Sequence, residues 1–84
     1  MSLPRVTLYG RDGCHLCDDA RDVLLRVRGE LAFSLEEVDI ESSDDLLRRY
    51  LERIPVVSLN DEELYDFFVD EADIKARLAR VGCP

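Results

Sequence analysis

Residues 6–17 read VTLYGRDGCHLC and place Cys14 and Cys17 between an apolar stretch and a helical pattern. A strand, a short turn, C-x-x-C and then a helix form the usual setting of a redox-active dithiol. The first turn of a helix has unpaired backbone N–H groups and a partial positive charge, and both stabilise a thiolate. Because the thiolate is the attacking species in thiol–disulfide exchange, the pattern predicts Cys14 as nucleophile and Cys17 as resolving thiol.

Composition excludes several classes of partner. The chain has 84 residues, a formal net charge of −8 and 46% hydrophobic residues, which suits one small folded domain spanning 1–84. Without a basic cluster we expect no nucleic-acid and no membrane partner, because phosphate groups need Lys and Arg. No stretch approaches the roughly 20 apolar residues of a membrane span, and the N-terminus lacks a signal-peptide pattern. We therefore expect a cytoplasmic monomer.

The cysteine count leaves the chemistry of the motif open. Three cysteines in a reducing compartment disfavour a framework of structural disulfides, so the C-x-x-C pair is either redox-active or metal-binding. Zinc and iron–sulfur sites usually have four ligands, and beyond Cys14 and Cys17 only His15 and Cys83 are available. Three interpretations follow: a thiol–disulfide oxidoreductase, a metal or iron–sulfur module that uses the same cysteines, and a redox-inert interaction domain. The first needs no metal and no tightly bound cofactor.

Strand and helix signals alternate along the chain and predict an α/β fold. The predicted order is β-α-β-α-β-β-α, with a four-stranded mixed sheet and three helices. A helix joins the first two strands, so they are parallel, whereas the last two form an antiparallel hairpin. Strands are predicted at 5–9, within 31–40, at 56–59 and at 63–69, and helices at about 14–28, from 42–45 to before Pro55, and from the cap Asp70 to Gly82.

Apolar spacing predicts which side chains are buried. In the first helix, apolar residues recur at helical spacing from Leu16 to Val27. The alternation in the second strand slips at Glu36 and Glu37, which predicts a bulge or an irregular start at a sheet edge. The aromatic residues and inner helix positions expected in the core are Phe33, Leu46, Leu47, Tyr50, Leu51, Tyr65, Phe67, Phe68, Ile74, Leu78 and Val81.

Three segments resemble the glutaredoxins, within the wider thioredoxin fold. They are residues 9–17 (YGRDGCHLC), 38–42 (VDIES) and 54–56 (IPV), in the family's order and over essentially the whole chain. In that family a strand-ending Tyr and a cationic residue precede C-x-x-C, and the last segment carries a cis-proline. The pattern is similar to the small bacterial glutaredoxin-like proteins in particular. This resemblance implies a thioredoxin-like (glutaredoxin) fold and thiol–disulfide exchange in cell redox homeostasis.

The resemblance also implies substrate-binding positions around the dithiol. A cis peptide before Pro55 would leave the Ile54 backbone free to pair with an extended substrate beside Cys14. Arg11 stands where the family has a lysine that attracts a substrate carboxylate and stabilises the thiolate. His15 either favours the thiolate when protonated or is a solvated residue at the helix start. The expected partners are a disulfide-containing protein or small-molecule thiol as substrate, and a thiol reductant from the thioredoxin or glutathione system.

Two departures from the family pattern concern glutathione. Where glutaredoxins carry a Gly-Gly pair whose backbone holds a glutathione carboxylate, residues 67–71 read FFVDE. Without glycine the backbone cannot approach a ligand as closely, and Asp70 and Glu71 repel a carboxylate. The proline usual inside the motif is also missing, with residues 15–16 in its place. We therefore expect weak or absent glutathione recognition.

Cys83 is expected to take no part in the chemistry. In the predicted topology the fourth strand ends at the same end of the sheet as Cys14, and the last helix runs away from there. About 11 helical residues carry the chain about 16 Å. A disulfide needs Cα atoms within about 7 Å, so Cys83 would be out of reach of Cys14 and Cys17.

Overall fold

Strands and helices alternate through residues 3–81, the part of the chain that the computed structural model describes. Their order confirms the predicted α/β thioredoxin-like fold. The elements are β1 (Arg5–Gly10), α1 (His15–Arg28), β2 (Ser34–Asp39), a 3-10 turn (Ile40–Ser42), α2 (Asp44–Tyr50), β3 (Val56–Leu59), β4 (Glu62–Asp66) and α3 (Glu71–Val81).

The four strands form one mixed sheet in the order β2-β1-β3-β4. β1 pairs in parallel with β2 and antiparallel with β3, and β3 pairs antiparallel with β4, as predicted. Val56 at the start of β3 lies opposite Tyr9 of β1 on one side and opposite Asp66 of β4 on the other. The segment with Cys14 follows β1 at this end of the sheet, which we call the dithiol end.

Each face of the sheet carries its own apolar cluster, because successive side chains of a strand point to opposite faces. Val6 and Leu8 of β1 belong to the larger cluster, which α1 and α3 cover. Tyr9 belongs to the smaller cluster under α2, with the buried residues Ile40 and Tyr50. Apolar packing on both faces of the sheet therefore holds β1 and β3, whose ends form the dithiol end, in place.

Polar side chains close the starts of the helices. The Ser43 hydroxyl accepts a hydrogen bond from the Leu46 N–H at 3.4 Å, and this caps α2. The Asp70 carboxylate accepts from the Asp73 N–H at 3.0 Å at the start of α3, as predicted for a cap. α1 differs, since its N-cap residue is Cys14 itself.

Several core and strand predictions are wrong. β4 ends at Asp66 and not at Val69, and Phe67 and Phe68 are 43% and 72% exposed. Phe67 has a backbone φ of 68°, which turns the chain out of the sheet. The two helix positions Leu51 and Val81, predicted to be buried, are also exposed.

The predicted bulge in the second strand is also wrong. β2 pairs with β1 in unbroken register from Arg5–Ser34 to Gly10–Asp39. It does lie at a sheet edge, where Glu36 and Glu37 are exposed. The irregularity in this sheet falls between β3 and β4, where the register shifts at Val57 and Ser58.

No helix within residues 3–81 is long and apolar enough to cross a membrane. Gly82, predicted to end the last helix, and Cys83, predicted to be remote from the dithiol, lie outside the described residues.

Candidate active site at the start of helix α1

Cys14 occupies the N-cap of α1. Its backbone is extended (φ −95°, ψ 108°), and its sulfur accepts a hydrogen bond from the Cys17 N–H at 3.2 Å. The side chain is partly exposed. The chain reaches this position through a turn in which Gly13 has a φ of 78°, a conformation that glycine adopts without strain. A sulfur at this cap position faces the unpaired N–H groups of the first turn, which favour negative charge.

Cys17 lies one turn further along α1 and is buried, with 1% of its surface exposed. The structure holds the two cysteines as a disulfide, with their Cα atoms 5.2 Å apart. A reagent from solution therefore meets Cys14 first, whereas the Cys17 side chain is buried behind it. This asymmetry suits an attacking thiol paired with a resolving thiol.

Gly10 is a site residue that the sequence interpretation missed. A Cβ atom at this position would lie 2.8 Å from the Cys17 sulfur and 3.2 Å from the Cys17 Cβ. Glycine thus lets the end of β1 pass directly under the buried cysteine. In the sequence, Gly10 is recognisable only as a glycine at the end of a strand, and such a glycine is equally typical of a turn.

A cavity of about 260 Å³ opens beside Cys17, between α1 and the ends of β1 and β2. Its lining includes Arg11, Arg21 and Glu37. Arg21 and Glu37 form an ion pair, and the Glu37 hydrogen bond is the main cause that raises the pKa of the Arg21 guanidinium. Arg11 makes no ion pair with any residue in 3–81. Its charge is therefore available to a ligand or to a thiolate.

Pro55 joins the site through the pairing of β1 with β3. The Ile54–Pro55 peptide is cis, as the family resemblance implied, and Pro55 is buried. Its carbonyl accepts a hydrogen bond from the Phe67 N–H at 2.9 Å, which ties the end of β4 to the start of β3. Ile54 packs against the smaller apolar cluster.

Two stacked tyrosines belong to the same apolar cluster as Ile54. The rings of Tyr9 and Tyr50 are 4.7 Å apart, and the guanidinium groups of Arg49 and Arg53 lie 5.2 and 5.6 Å from the Tyr50 ring centre. Burial raises the pKa of the Tyr50 hydroxyl. Tyr50 therefore stays neutral and acts as packing for this end of the sheet.

The fold gathers all the predicted site residues at the dithiol end. Arg11, Cys14, His15 and Cys17 are neighbours in the chain, and β3 brings in the Ile54–Pro55 segment. His15 is the first residue of α1 and is exposed. Within residues 3–81 there is no group of three or more His, Cys, Asp or Glu side chains placed to hold a metal ion.

Proteins of related sequence match most of this chain. The family model described as "Glutaredoxin-like domain (DUF836)" matches residues 5–79. An uncharacterised protein of Mycobacterium tuberculosis is 32% identical over 85 residues, an alignment that covers 95% of this chain and 88% of that protein.

Solved structures share the fold. A Nitrosomonas europaea protein solved by solution NMR has a TM-score of 0.80 at 34% identity, covering 93% of this chain and 94% of its own. An X. campestris protein solved by X-ray has a TM-score of 0.73 at 35% identity, covering 94% and 99%. A thioredoxin of Halobacterium salinarum, at 17% identity and TM-score 0.68, covers 94% and 74% and shares the fold alone. The resemblance predicted from the sequence is confirmed.

Proposed function

The chain belongs to the glutaredoxin-like domain family, and on that premise we propose that it is a thiol–disulfide oxidoreductase. The observation that carries this proposal is the asymmetry of the bonded pair. Cys14 is partly exposed at the helix cap, and Cys17 is buried directly behind it. A redox role of this kind fits the family and the fold, and the dithiol supplies its chemistry.

The reaction consists of two exchange steps. The Cys14 thiolate attacks one sulfur of a substrate disulfide, a Cys14–substrate disulfide forms, and the other substrate sulfur leaves as a thiolate. The Cys17 thiolate then attacks the Cys14 sulfur and releases the second substrate thiolate. Two electrons pass to the substrate, and the protein is left as the Cys14–Cys17 disulfide. A thiol reductant, from the thioredoxin or glutathione system, reverses the process and restores the dithiol.

Local groups favour the Cys14 thiolate. The Cys17 N–H donates directly to the Cys14 sulfur, and the positive end of α1 adds to this. Arg11, two residues before Gly13, supplies a positive charge and forms no ion pair with a carboxylate in residues 3–81. We propose the cytoplasm as the compartment, since the dithiol must be returned to its reduced form.

Serine variants test the two roles. With 2-hydroxyethyl disulfide as substrate, Cys14→Ser is expected to reduce exchange to the uncatalysed rate, because Cys17 is buried. Cys17→Ser is expected to accumulate the Cys14–substrate mixed disulfide, visible as added mass on the intact protein. Cys83→Ser serves as the control and should exchange at the wild-type rate. Wild-type exchange by Cys14→Ser would overturn the assignment, and no exchange by the wild type would favour the redox-inert alternative.

We also propose that glutathione binds weakly or not at all. In the resemblance, glutaredoxins hold a carboxylate of the ligand at the start of the last helix, and there this chain has Asp70 followed by Glu71, the first residue of α3. Hydrogen bonding to Arg26, and then to Lys75, lowers the pKa of Glu71, so this group stays ionised. A glutathione carboxylate would therefore meet the Asp70 carboxylate, which forms no ion pair within residues 3–81, and a Glu71 carboxylate that already holds Arg26 and Lys75.

Calorimetric titration of glutathione into Cys17→Ser checks this. We expect no saturable heat, corresponding to a Kd weaker than about 1 mM. The matched control is a triple variant, Cys17→Ser with Asp70→Ser and Glu71→Gln. It keeps a capping hydroxyl at position 70 and removes both carboxylate charges. It should bind glutathione no more weakly than Cys17→Ser alone. Saturable micromolar binding that Arg11→Gln abolishes would restore ordinary glutathione recognition.

A further inference from the structure

Phe67 and Phe68 form an exposed aromatic pair at the dithiol end. Phe68 is 72% exposed, the largest fraction for any large apolar side chain in residues 3–81, and Phe67 is 43% exposed. Single exposed apolar residues are common, but here two large aromatic residues in succession are exposed. Their position at the dithiol end favours a role in contacting a ligand.

The backbone of this pair is strained and firmly held. Phe67 has a φ of 68°, and the Phe68 N–H donates across it to the Asp66 carbonyl at 2.8 Å, which closes a three-residue turn. The Phe67 N–H donates to two carbonyls, those of Pro55 at 2.9 Å and Arg53 at 3.3 Å. Glycine would make this turn without strain. A bulky residue held in this conformation with its ring in solvent points to a use for the ring.

The position of the pair matches the reach of a substrate. β4 is two strands from β1 in the sheet, about 10 Å at about 4.8 Å per strand. An extended chain covers that distance in about three residues. A polypeptide linked to the Cys14 sulfur would therefore bring the side chains near its own cysteine onto the two rings.

The negative charge of the protein determines which polypeptide substrates are favoured. The carboxylates of Asp12, in the turn before Cys14, and Asp70, just after the aromatic pair, are exposed and form no ion pair within residues 3–81. The whole chain carries −8. Acidic segments are thus repelled, and apolar or basic ones are favoured.

We propose that Phe67 and Phe68 are specificity-determining residues that bind an extended polypeptide substrate with an apolar side chain about three residues from its half-cystine and neutral or basic flanks. This inference rests on the proposed oxidoreductase function and names its substrate class. In the first exchange step the polypeptide is the disulfide that Cys14 attacks, and the aromatic contact itself makes and breaks no covalent bond.

The test uses two disulfide-linked peptides that differ only in Leu or Ser at the position about three residues from the cysteine. For the wild type we expect kcat/KM to favour the Leu peptide by about tenfold, a typical effect of one buried apolar contact. Phe68→Ser should bring this ratio close to one. Leu25→Ser is the matched control, because Leu25 is a large apolar residue on α1 with 43% exposure, and it should leave the ratio at its wild-type value. An unchanged ratio in Phe68→Ser, or the same loss in Leu25→Ser, would overturn the proposal.

A second variant keeps the test valid if Phe68→Ser does not fold. Phe67→Gly removes one ring and relieves the positive φ, so it should fold at least as stably as the wild type and still lower the ratio. In the wild type, Lys-flanked peptides should react faster than Glu-flanked ones at low salt, and the reverse order would contradict the charge argument. If the wild type forms a dimer that Phe68→Ser abolishes in sedimentation, the pair is a self-association surface and the proposal is wrong.

Failure of the proposed function can be separated from failure of this inference. If the wild type exchanges with no disulfide, including 2-hydroxyethyl disulfide, the oxidoreductase assignment is wrong. Peptide binding to Phe67 and Phe68 is then measured separately, by the changes in amide NMR chemical shifts. The ligand is the Leu peptide with its cysteine replaced by Ser. Shifts centred on Phe67 and Phe68 would support the binding surface, and shifts elsewhere or none would overturn it.

Discussion

At the scale of single residues, Gly10 is a position where the buried Cys17 leaves no room for a side chain. Gly10→Ala places a Cβ 2.8 Å from the Cys17 sulfur, and Cys17 is buried and cannot move aside. Overpacking of this kind costs about 1–3 kcal/mol, so we expect the free energy of unfolding to fall by that amount in urea denaturation. In a Cys17→Ala background, which lacks the sulfur, the same change should cost less.

The control for this substitution is Gly29→Ala. Gly29 ends α1 with helical backbone angles (φ −68°, ψ −18°), and the nearest atom to an added Cβ is the Arg26 carbonyl oxygen at 3.3 Å. Its stability should change by only a few tenths of a kcal/mol. Equal stability of Gly10→Ala and the wild type would show that β1 and α1 have room to separate.

At the scale of elements, α3 is tied to β4 through Asp73. Its carboxylate accepts hydrogen bonds from the Tyr65 hydroxyl and, at 2.8 Å, from Arg77. The Tyr65 hydrogen bond, followed by that of Arg77, lowers the pKa of Asp73 below its ordinary 3.8. Burial is the main cause that raises the pKa of Tyr65, so Tyr65 remains a donor at neutral pH.

This arrangement predicts how stability depends on pH. Since the pKa of Asp73 is depressed in the folded state, its contribution is fully present above pH 3.8 and is lost as the pH falls through the lower folded value. Asp73→Asn should therefore lose less stability than the wild type between neutral pH and about pH 2, measured by urea denaturation. Asp19→Asn, an exposed carboxylate of α1, is the control and should follow the wild-type curve. Parallel curves for Asp73→Asn and the wild type would contradict the linkage.

The strands and helices also show which parts of the fold can be predicted from sequence patterns. The order of strands and helices followed from alternation, caps and turn residues, because these are local signals. The end of β4 did not, since the aromatic run through Phe68 has high strand propensity. β3 begins at Val56, opposite Asp66, and the next residue of β4's chain, Phe67, leaves the strand conformation with a φ of 68°. The same limit applies to Gly10, whose role depends on how closely α1 packs on β1.

At the scale of the whole molecule, the charge balance decides which small substrates approach. Several basic side chains, such as Arg5, Arg21, Arg53 and Lys75, are already paired with carboxylates. The chain retains a formal net charge of −8. A field of this sign attracts cations and repels anions over about 10 Å at 0.1 M salt.

We therefore expect the cationic disulfide cystamine to react faster than the anionic dithiodiglycolate at low ionic strength. Their rate ratio should fall towards its intrinsic value as salt is added, because screening shortens the range of the field. Stopped-flow thiol release at constant pH measures both rates. Arg11 lies beside Cys17 in the cavity lining and acts in the opposite direction, so Arg11→Gln should widen the ratio. If dithiodiglycolate is the faster substrate and Arg11→Gln reverses the order, the local guanidinium outweighs the net charge, and anionic substrates become the better candidates.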